Sequence, residues 1–162
     1  MDKVKSFASQ LTGRSGLAAL EKKNPDDVVI TMAIRSPLCK ARKGGLKDAR
    51  SVCSTPRNTS ILIILIRSDE LLTEMFRHSI AHSGINPTLI QDICVGNVLT
   101  PAPTFEARAA ALAAGIPETT PVQVVNRFCS SGLMAVTIIS NQIRAGQIEV
   151  GLAIGADSMS AQ

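Results

Sequence analysis

The chain has 162 residues and very few aromatic side chains: four Phe, no Trp and no Tyr. Proteins that bind single-stranded nucleic acid stack the bases on aromatic side chains, so this composition argues against a nucleic-acid partner. The core must be aliphatic instead, and 45% of the residues are hydrophobic. Together with 11 glycines, this is typical of one packed α/β domain rather than of a disordered chain.

Paired cysteines and long apolar runs are also missing. Cys39, Cys53, Cys94 and Cys129 include no C-x-x-C spacing, which argues against a zinc ribbon and a thioredoxin motif. The longest apolar run, Ile61–Ile66, is far shorter than the roughly 20 residues that cross a bilayer. No secretory signal stands near the start. We therefore expect no metal site and no membrane span.

Two features that the chain does have can be interpreted in two ways. His78 and His82 lie four residues apart on a predicted helix. A metal would need a third ligand, and a solvated helix face is the preferred interpretation.

The net charge of +4 is unevenly distributed along the sequence, with one basic cluster. This cluster is either a solvated loop or a surface that attracts an anionic partner such as a phosphorylated cofactor. Its members are Lys40, Arg42, Lys43, Lys47 and Arg50.

Apolar runs alternate with helical patterns along the chain. The predicted strands are Val28–Ala33, a segment around Ile93–Val95, Val122–Val125 and Glu149–Ile154. The predicted helices are Ser68 to Gly84, Glu106–Ala114 and Ser130–Ala145, and each has a glycine at or just after its end. Alternating strands and helices predict a layered α/β sheet.

Cys129 lies between the third predicted strand and the last predicted helix. The sequence Asn126-Arg-Phe-Cys-Ser-Ser-Gly-Leu133 indicates a sharp turn that leads from the strand into the helix. The first N–H groups of a helix are unpaired and carry partial positive charge, which stabilises a thiolate. We therefore consider Cys129 a candidate nucleophile; a buried structural cysteine is the alternative.

Together with the Cys129 turn, several stretches of the sequence resemble the thiolase family, in particular its fungal peroxisomal members. The other matching stretches are Val28–Lys40, Asp92–Leu99, Ala107–Leu112 with Gly115-Ile-Pro117, and Gly155–Ser160. Asp157 stands where many relatives have Glu. The resemblance implies a thiolase-like layered α-β-α fold, of which residues 28–162 are part of the N-terminal domain, an incomplete first half-domain.

The same resemblance implies a mechanism. Cys129 matches the acyl-accepting nucleophile, whose thiolate attacks the keto carbon of a 3-ketoacyl-CoA in fatty-acid β-oxidation. Acetyl-CoA leaves, and a second CoA takes the shortened acyl group from the cysteine. The implied partners are 3-ketoacyl-CoA and CoA as co-substrate, with a homodimer as the assembly and no permanently bound cofactor. No residue for CoA binding is assigned.

Two departures from the family leave alternatives open. Family members are about two and a half times as long, and their second half supplies a histidine base and a second cysteine that His78 and His82 do not replace. Residues 51–67 also interrupt a family segment and read as an atypical insertion or a retained intron. The chain is therefore interpreted as a thiolase-class acyltransferase, as a catalytically incomplete fragment that acts as a partner or is a pseudogene product, or as a ketosynthase-type condensing enzyme.

Residues 1–27 form an N-terminal extension. Its spacing fits the loose pattern of an N-terminal peroxisomal targeting signal, with an ordinary amphipathic helix as the alternative. The residues that match are Lys3, Val4, Gln10 and Leu11. The resemblance and this pattern together predict import into the peroxisome through a receptor that reads the signal, with the mitochondrion or cytoplasm as alternatives.

Overall fold

The computed structural model describes residues 68–158 and 27–37, together with the single residues 23, 25, 40 and 43. The predictions for the targeting segment and for residues 51–67 lie outside these ranges, as do Cys39, Cys53 and most of the basic cluster. The regular elements are α1 (Ser68–Ser83), β1 (Asp92–Gly96), α2 (Pro103–Ala113), β2 (Val122–Val125), α3 (Ser131–Arg144) and β3 (Gly151–Gly155). A short 3₁₀ helix, Pro87–Leu89, precedes β1.

The three described strands form a parallel sheet in the order β2-β1-β3. All five residues of β1 are buried, as expected of a central strand covered on both faces. The chain crosses from β1 to β2 in one direction and from β2 back past β1 to β3 in the other. Since such crossovers are almost always right-handed, α2 and α3 are expected on opposite faces of the sheet. The two helices do contact different core clusters.

Alternation along β1 divides the core into two halves. Ile93 and Val95 belong to one apolar cluster with Phe76 of α1 and the buried alanines of α2. Cys94 points to the other face and packs in a second cluster with Ala135 and Ile139 of α3. The predicted α-β-α layering is therefore confirmed. Its physical basis is the two-residue period of a strand, which presents alternate side chains to the two helical layers.

Glycine ends three of the helical segments as predicted. Gly84, Gly115 and Gly146 all have positive φ angles, between 66° and 88°, and each follows a helix or its last turn. The Gly84 N–H donates to the carbonyl of Ile80 at 3.0 Å, and the Gly146 N–H donates to that of Ile143 at 2.9 Å. These bonds satisfy carbonyl groups that would otherwise lack a partner at the helix end.

The prediction of a buried strand at Val28–Ala33 was wrong. These residues form no regular element, and Val29 and Ile30 are 72% and 73% exposed. Among the described residues the segment pairs with no strand. An apolar run predicts burial, but a strand forms only where a partner supplies its hydrogen bonds.

Candidate active site

Cys129 lies in a tight turn that joins β2 to α3. β2 ends at Val125, Ser130 is the N-cap of α3, and the helix begins at Ser131. Cys129 is exposed and precedes the N-cap by one residue, so the predicted position beside the helix start is confirmed. The turn stands at the carboxyl end of β2, on the edge of a parallel sheet where ligands of α/β proteins are usually bound.

The side chain of Ser131 ties the turn to the helix. Its Oγ accepts from the Arg127 N–H at 2.9 Å and donates to the Phe128 carbonyl at 2.6 Å. The Ser130 side chain also donates to the Arg127 carbonyl at 2.9 Å. These bonds anchor Phe128 and Ser130, the residues on either side of Cys129. They therefore hold the cysteine in the fixed position that a nucleophile requires.

Glycines let the first turn of α3 lie directly on the sheet. A Cβ atom on Gly96, at the end of β1, would lie 2.4 Å from the Ser131 carbonyl carbon and 2.6 Å from the Gly132 nitrogen. A Cβ on Gly155, at the end of β3, would meet the Gly132 Cα at 3.4 Å. Backbone therefore packs against backbone here, and the helix N-terminus is brought to the carboxyl edge of the sheet.

Polar side chains that follow β1 and β3 meet at the same edge. Asn97 donates to the Ala156 carbonyl at 2.6 Å and to Thr100 Oγ1 at 2.9 Å. Asp157 Oδ1 accepts from the N–H groups of Val98 and Leu99 at 3.0 and 2.9 Å. Sequence patterns alone predicted no role for Asn97 or Asp157. The signal that could have found them is their position directly after predicted parallel strands, whose carboxyl ends converge.

The other described cysteine has opposite surroundings. Cys94 is fully buried in the centre of the sheet. Burial, and to a smaller extent the Asp92 carboxylate, raises the pKa of the Cys94 thiol to about 11. Because the thiolate is the reactive form, Cys94 is inert near neutral pH. Of the two cysteines that the structure describes, Cys129 is thus the candidate nucleophile.

His78 and His82 lie on α1, and their surroundings can be compared with the two interpretations of this pair. Both side chains are exposed on α1, as the interpretation of a solvated helix face predicts. In the described ranges, no three His, Cys, Asp or Glu side chains are grouped so that they could hold a metal ion. The described helices are also all too short or too polar to span a membrane.

Comparison with known proteins identifies the family. A family model for the N-terminal domain of thiolase matches residues 60–162. The peroxisomal 3-ketoacyl-CoA thiolase of Yarrowia lipolytica is 45% identical over 165 residues, which cover 100% of this chain and 36% of that protein. Peroxisomal 3-ketoacyl-CoA thiolase A of Candida tropicalis is 43% identical over 161 residues, which cover 99% of this chain and 35% of that protein.

A solved structure gives the same result. The crystal structure of the dimeric peroxisomal thiolase of Saccharomyces cerevisiae superposes with a TM-score of 0.72 at 39% identity, covering 88% of this chain and 34% of that one. The chain thus spans about a third of the length of the relatives it matches. Sequence and fold agree over nearly all of the chain, and it belongs to the thiolase family.

Proposed function

We propose that this protein is an acyltransferase of the thiolase class, which cleaves 3-ketoacyl-CoA to acetyl-CoA and a shortened acyl-CoA. The observation that carries the proposal is the exposed Cys129 in an anchored turn beside the start of α3. The family supports the reaction type, and the names of the relatives support the substrate class. CoA is the co-substrate, and no permanently bound cofactor is required.

In the proposed reaction, Cys129 is the nucleophile of the first half-reaction and the leaving group of the second. Its thiolate attacks the keto carbon, and the carbon–carbon bond to the acetyl-CoA unit breaks. The released electron pair takes up a proton, acetyl-CoA leaves, and the shortened acyl group remains as a thioester on sulfur. The thiol of a second CoA then attacks that thioester, gives up its proton, and releases the Cys129 thiolate. A thiolate suits both steps because it is a good nucleophile and also a good leaving group.

The position of Cys129 beside the helix start stabilises charge in this reaction. Partial positive charge on the N–H groups of the first turn of α3 favours the negative charge that develops beside the helix start during the reaction. We also expect the Cys129 N–H to contribute to an oxyanion hole for the tetrahedral intermediate. Removal of one such donor typically costs about 3 kcal/mol of transition-state stabilisation. The proton-transfer groups of the reaction are not assigned to residues of this chain.

Cellular location and partners follow from the relatives. The similar fungal proteins are named as peroxisomal, and the Saccharomyces cerevisiae enzyme is described as dimeric. We propose a peroxisomal location, with Lys3, Val4, Gln10 and Leu11 read by an import receptor, and assembly as a homodimer. Replacement of Leu11 with a charged residue in a fluorescent fusion is expected to leave the protein in the cytosol; unchanged peroxisomal fluorescence would contradict the targeting role.

A trapping experiment tests the nucleophile. We expect that incubation with acetoacetyl-CoA, without free CoA, leaves an acetyl group on the tryptic peptide containing Cys129. Cys129→Ala should lose this adduct, because the acyl-accepting thiol is removed, while Cys94→Ala should retain it. Mass spectrometry of the digested protein provides the measurement. Acetylation of Cys129→Ala to the wild-type extent would refute the assignment.

A turnover assay distinguishes an active enzyme from a catalytically incomplete fragment. Addition of free CoA should consume acetoacetyl-CoA, followed as the loss of its enolate absorbance. Absence of turnover by a chain whose Cys129 is still alkylated by iodoacetamide would favour a catalytically incomplete thiolase over the proposed activity.

A further inference from the structure

Phe128, the residue before Cys129, has a left-handed backbone conformation with a φ of 49°. This conformation is unfavourable for a bulky side chain, so it persists only where surrounding groups hold it. Asn126 Oδ1 accepts from the Phe128 N–H at 3.0 Å, and the Phe128 carbonyl accepts from Ser131. The direction of the Cys129 side chain therefore depends on hydrogen bonds made by its neighbour.

Asn126 connects this turn to a second loop. While its Oδ1 holds Phe128, its Nδ2 donates to the Val98 carbonyl at 3.3 Å. Val98 belongs to the loop that follows β1, 28 residues earlier in the chain. The two ends of one side-chain amide thus join the Cys129 turn to a neighbouring strand end.

Asp157 holds the far side of that loop. Its Oδ1 accepts from both Val98 and Leu99, residues 59 and 58 positions away. Hydrogen bonds from backbone N–H groups to a carboxylate are stronger than bonds between neutral groups. A continuous series of hydrogen bonds therefore runs from Asp157 through Val98 and Asn126 to Phe128.

We infer that Asp157 and Asn126 are positioning residues for Cys129. Both side chains are exposed and belong to neither apolar cluster of the core, so they contribute little to the burial that stabilises the fold. The series of hydrogen bonds to which they belong ends instead on Phe128, the residue that sets the direction of Cys129. A link to catalysis rests on the proposed function, whereas the mechanical coupling between Asp157 and Phe128 does not.

Amide hydrogen exchange tests the coupling directly on the full chain. In Asp157→Ala, we expect the Phe128 N–H to exchange about tenfold faster or more, since the loop that supports Asn126 is released. Asp157→Asn keeps an oxygen acceptor and should stay near the wild type. Glu118→Ala, which removes an exposed carboxylate on the loop before β2, is the matched control and should change nothing.

Two results of this measurement would overturn the inference. One is unchanged exchange at Phe128 in Asp157→Ala. The other is a loss of protection that spreads equally to Ile93 and Val95 of β1, which would show a purely structural role. Asn126→Asp supplies an independent variant: it retains the acceptor for Phe128 but lacks the donor to Val98, so Asp157→Ala in that background should have little additional effect at Phe128.

Acylation of Cys129 tests the consequence for catalysis. Asp157→Ala should slow acylation by acetoacetyl-CoA about tenfold or more, because attack on a carbon requires an oriented sulfur. Alkylation by iodoacetamide, a small reagent with few orientational demands, should change less than about threefold, and Tm should be unchanged. Equal slowing of both reactions would overturn the positioning role. If the wild type is not acylated at all, the proposed function fails, and the exchange measurement still decides whether Asp157 controls Phe128.

Discussion

At the scale of single residues, the two described cysteines differ because of their surroundings. Cys94 is in the central strand, covered by helices on both faces, whereas Cys129 is exposed in a turn at the sheet edge. Residue type alone did not separate them. The neighbouring residues of Cys129 predicted its role, because the strand, turn and helix around it are contiguous in sequence. The contact between Asp157 and Val98 was not predictable in this way, since nothing local connects residues 59 positions apart.

The raised pKa of Cys94 predicts how stability changes with pH. Its pKa rises from the ordinary 9.0 to about 11 in the folded chain. Between those two values the unfolded chain loses the proton and the folded chain keeps it, so the free energy of unfolding should fall as pH rises. Urea unfolding across this range should show a smaller fall for Cys94→Ala than for the wild type. Equal pH dependence of the two proteins would contradict the raised pKa.

At the scale of elements, local patterns predicted the helices and most strands well. The helix from Ser68 and the strand Val122–Val125 are confirmed, and α2 begins three residues earlier than predicted, with Pro103 in its first turn. The apolar pattern of α3 predicted burial on more than one face. In the structure only Ser131, Ala135 and Ile139 are buried, and Leu133 is 71% exposed. One contact with the sheet buries one stripe of a helix, and the described residues supply no second layer there.

Gly96 allows the packing of α3 on β1, and its substitution tests that packing. In Gly96→Ala the new Cβ would meet the backbone of Ser131 and Gly132 at 2.4 to 2.6 Å. Since backbone atoms cannot turn aside, we expect a loss of about 1–3 kcal/mol in the free energy of unfolding, together with slower acylation of Cys129. Gly132→Ala is the control, because its Cβ would lie 3.8 Å from the nearest atom, Gly155 Cα. Denaturant unfolding that shows equal stability for the two variants would contradict this account.

At the scale of the whole molecule, the described sheet has an unpaired strand edge at each end. Among the described residues, β2 and β3 each pair on one side only. An apolar cavity of about 540 Å³ separates β3 from residues 28–36 and is lined also by Met75, Ile80 and Ile143. Unpaired strand edges and exposed apolar surface promote association between chains.

We therefore expect the chain by itself to self-associate. Size-exclusion chromatography with light scattering should show oligomers or aggregates at micromolar concentration. Ile30→Lys adds a charge to the exposed residues beside the cavity and should shift the protein toward the monomer. Leu112→Lys, on the exposed face of α2, is the control for added charge elsewhere. A compact and stable wild-type monomer would contradict this expectation.

The sequence by itself determined the helices, the core strands, the layered α/β class and Cys129 as the candidate nucleophile. These depend on patterns within short segments: apolar period, glycine at helix ends, and the residues of one turn. Only the tertiary structure decided that residues 28–33 form no strand. It also decided that Gly96 leaves room for the first turn of α3 to pack on the sheet. It also brought Asp157 to the loop that supports the Cys129 turn. These features depend on which strand ends meet, and the local sequence of a segment does not specify its distant partner.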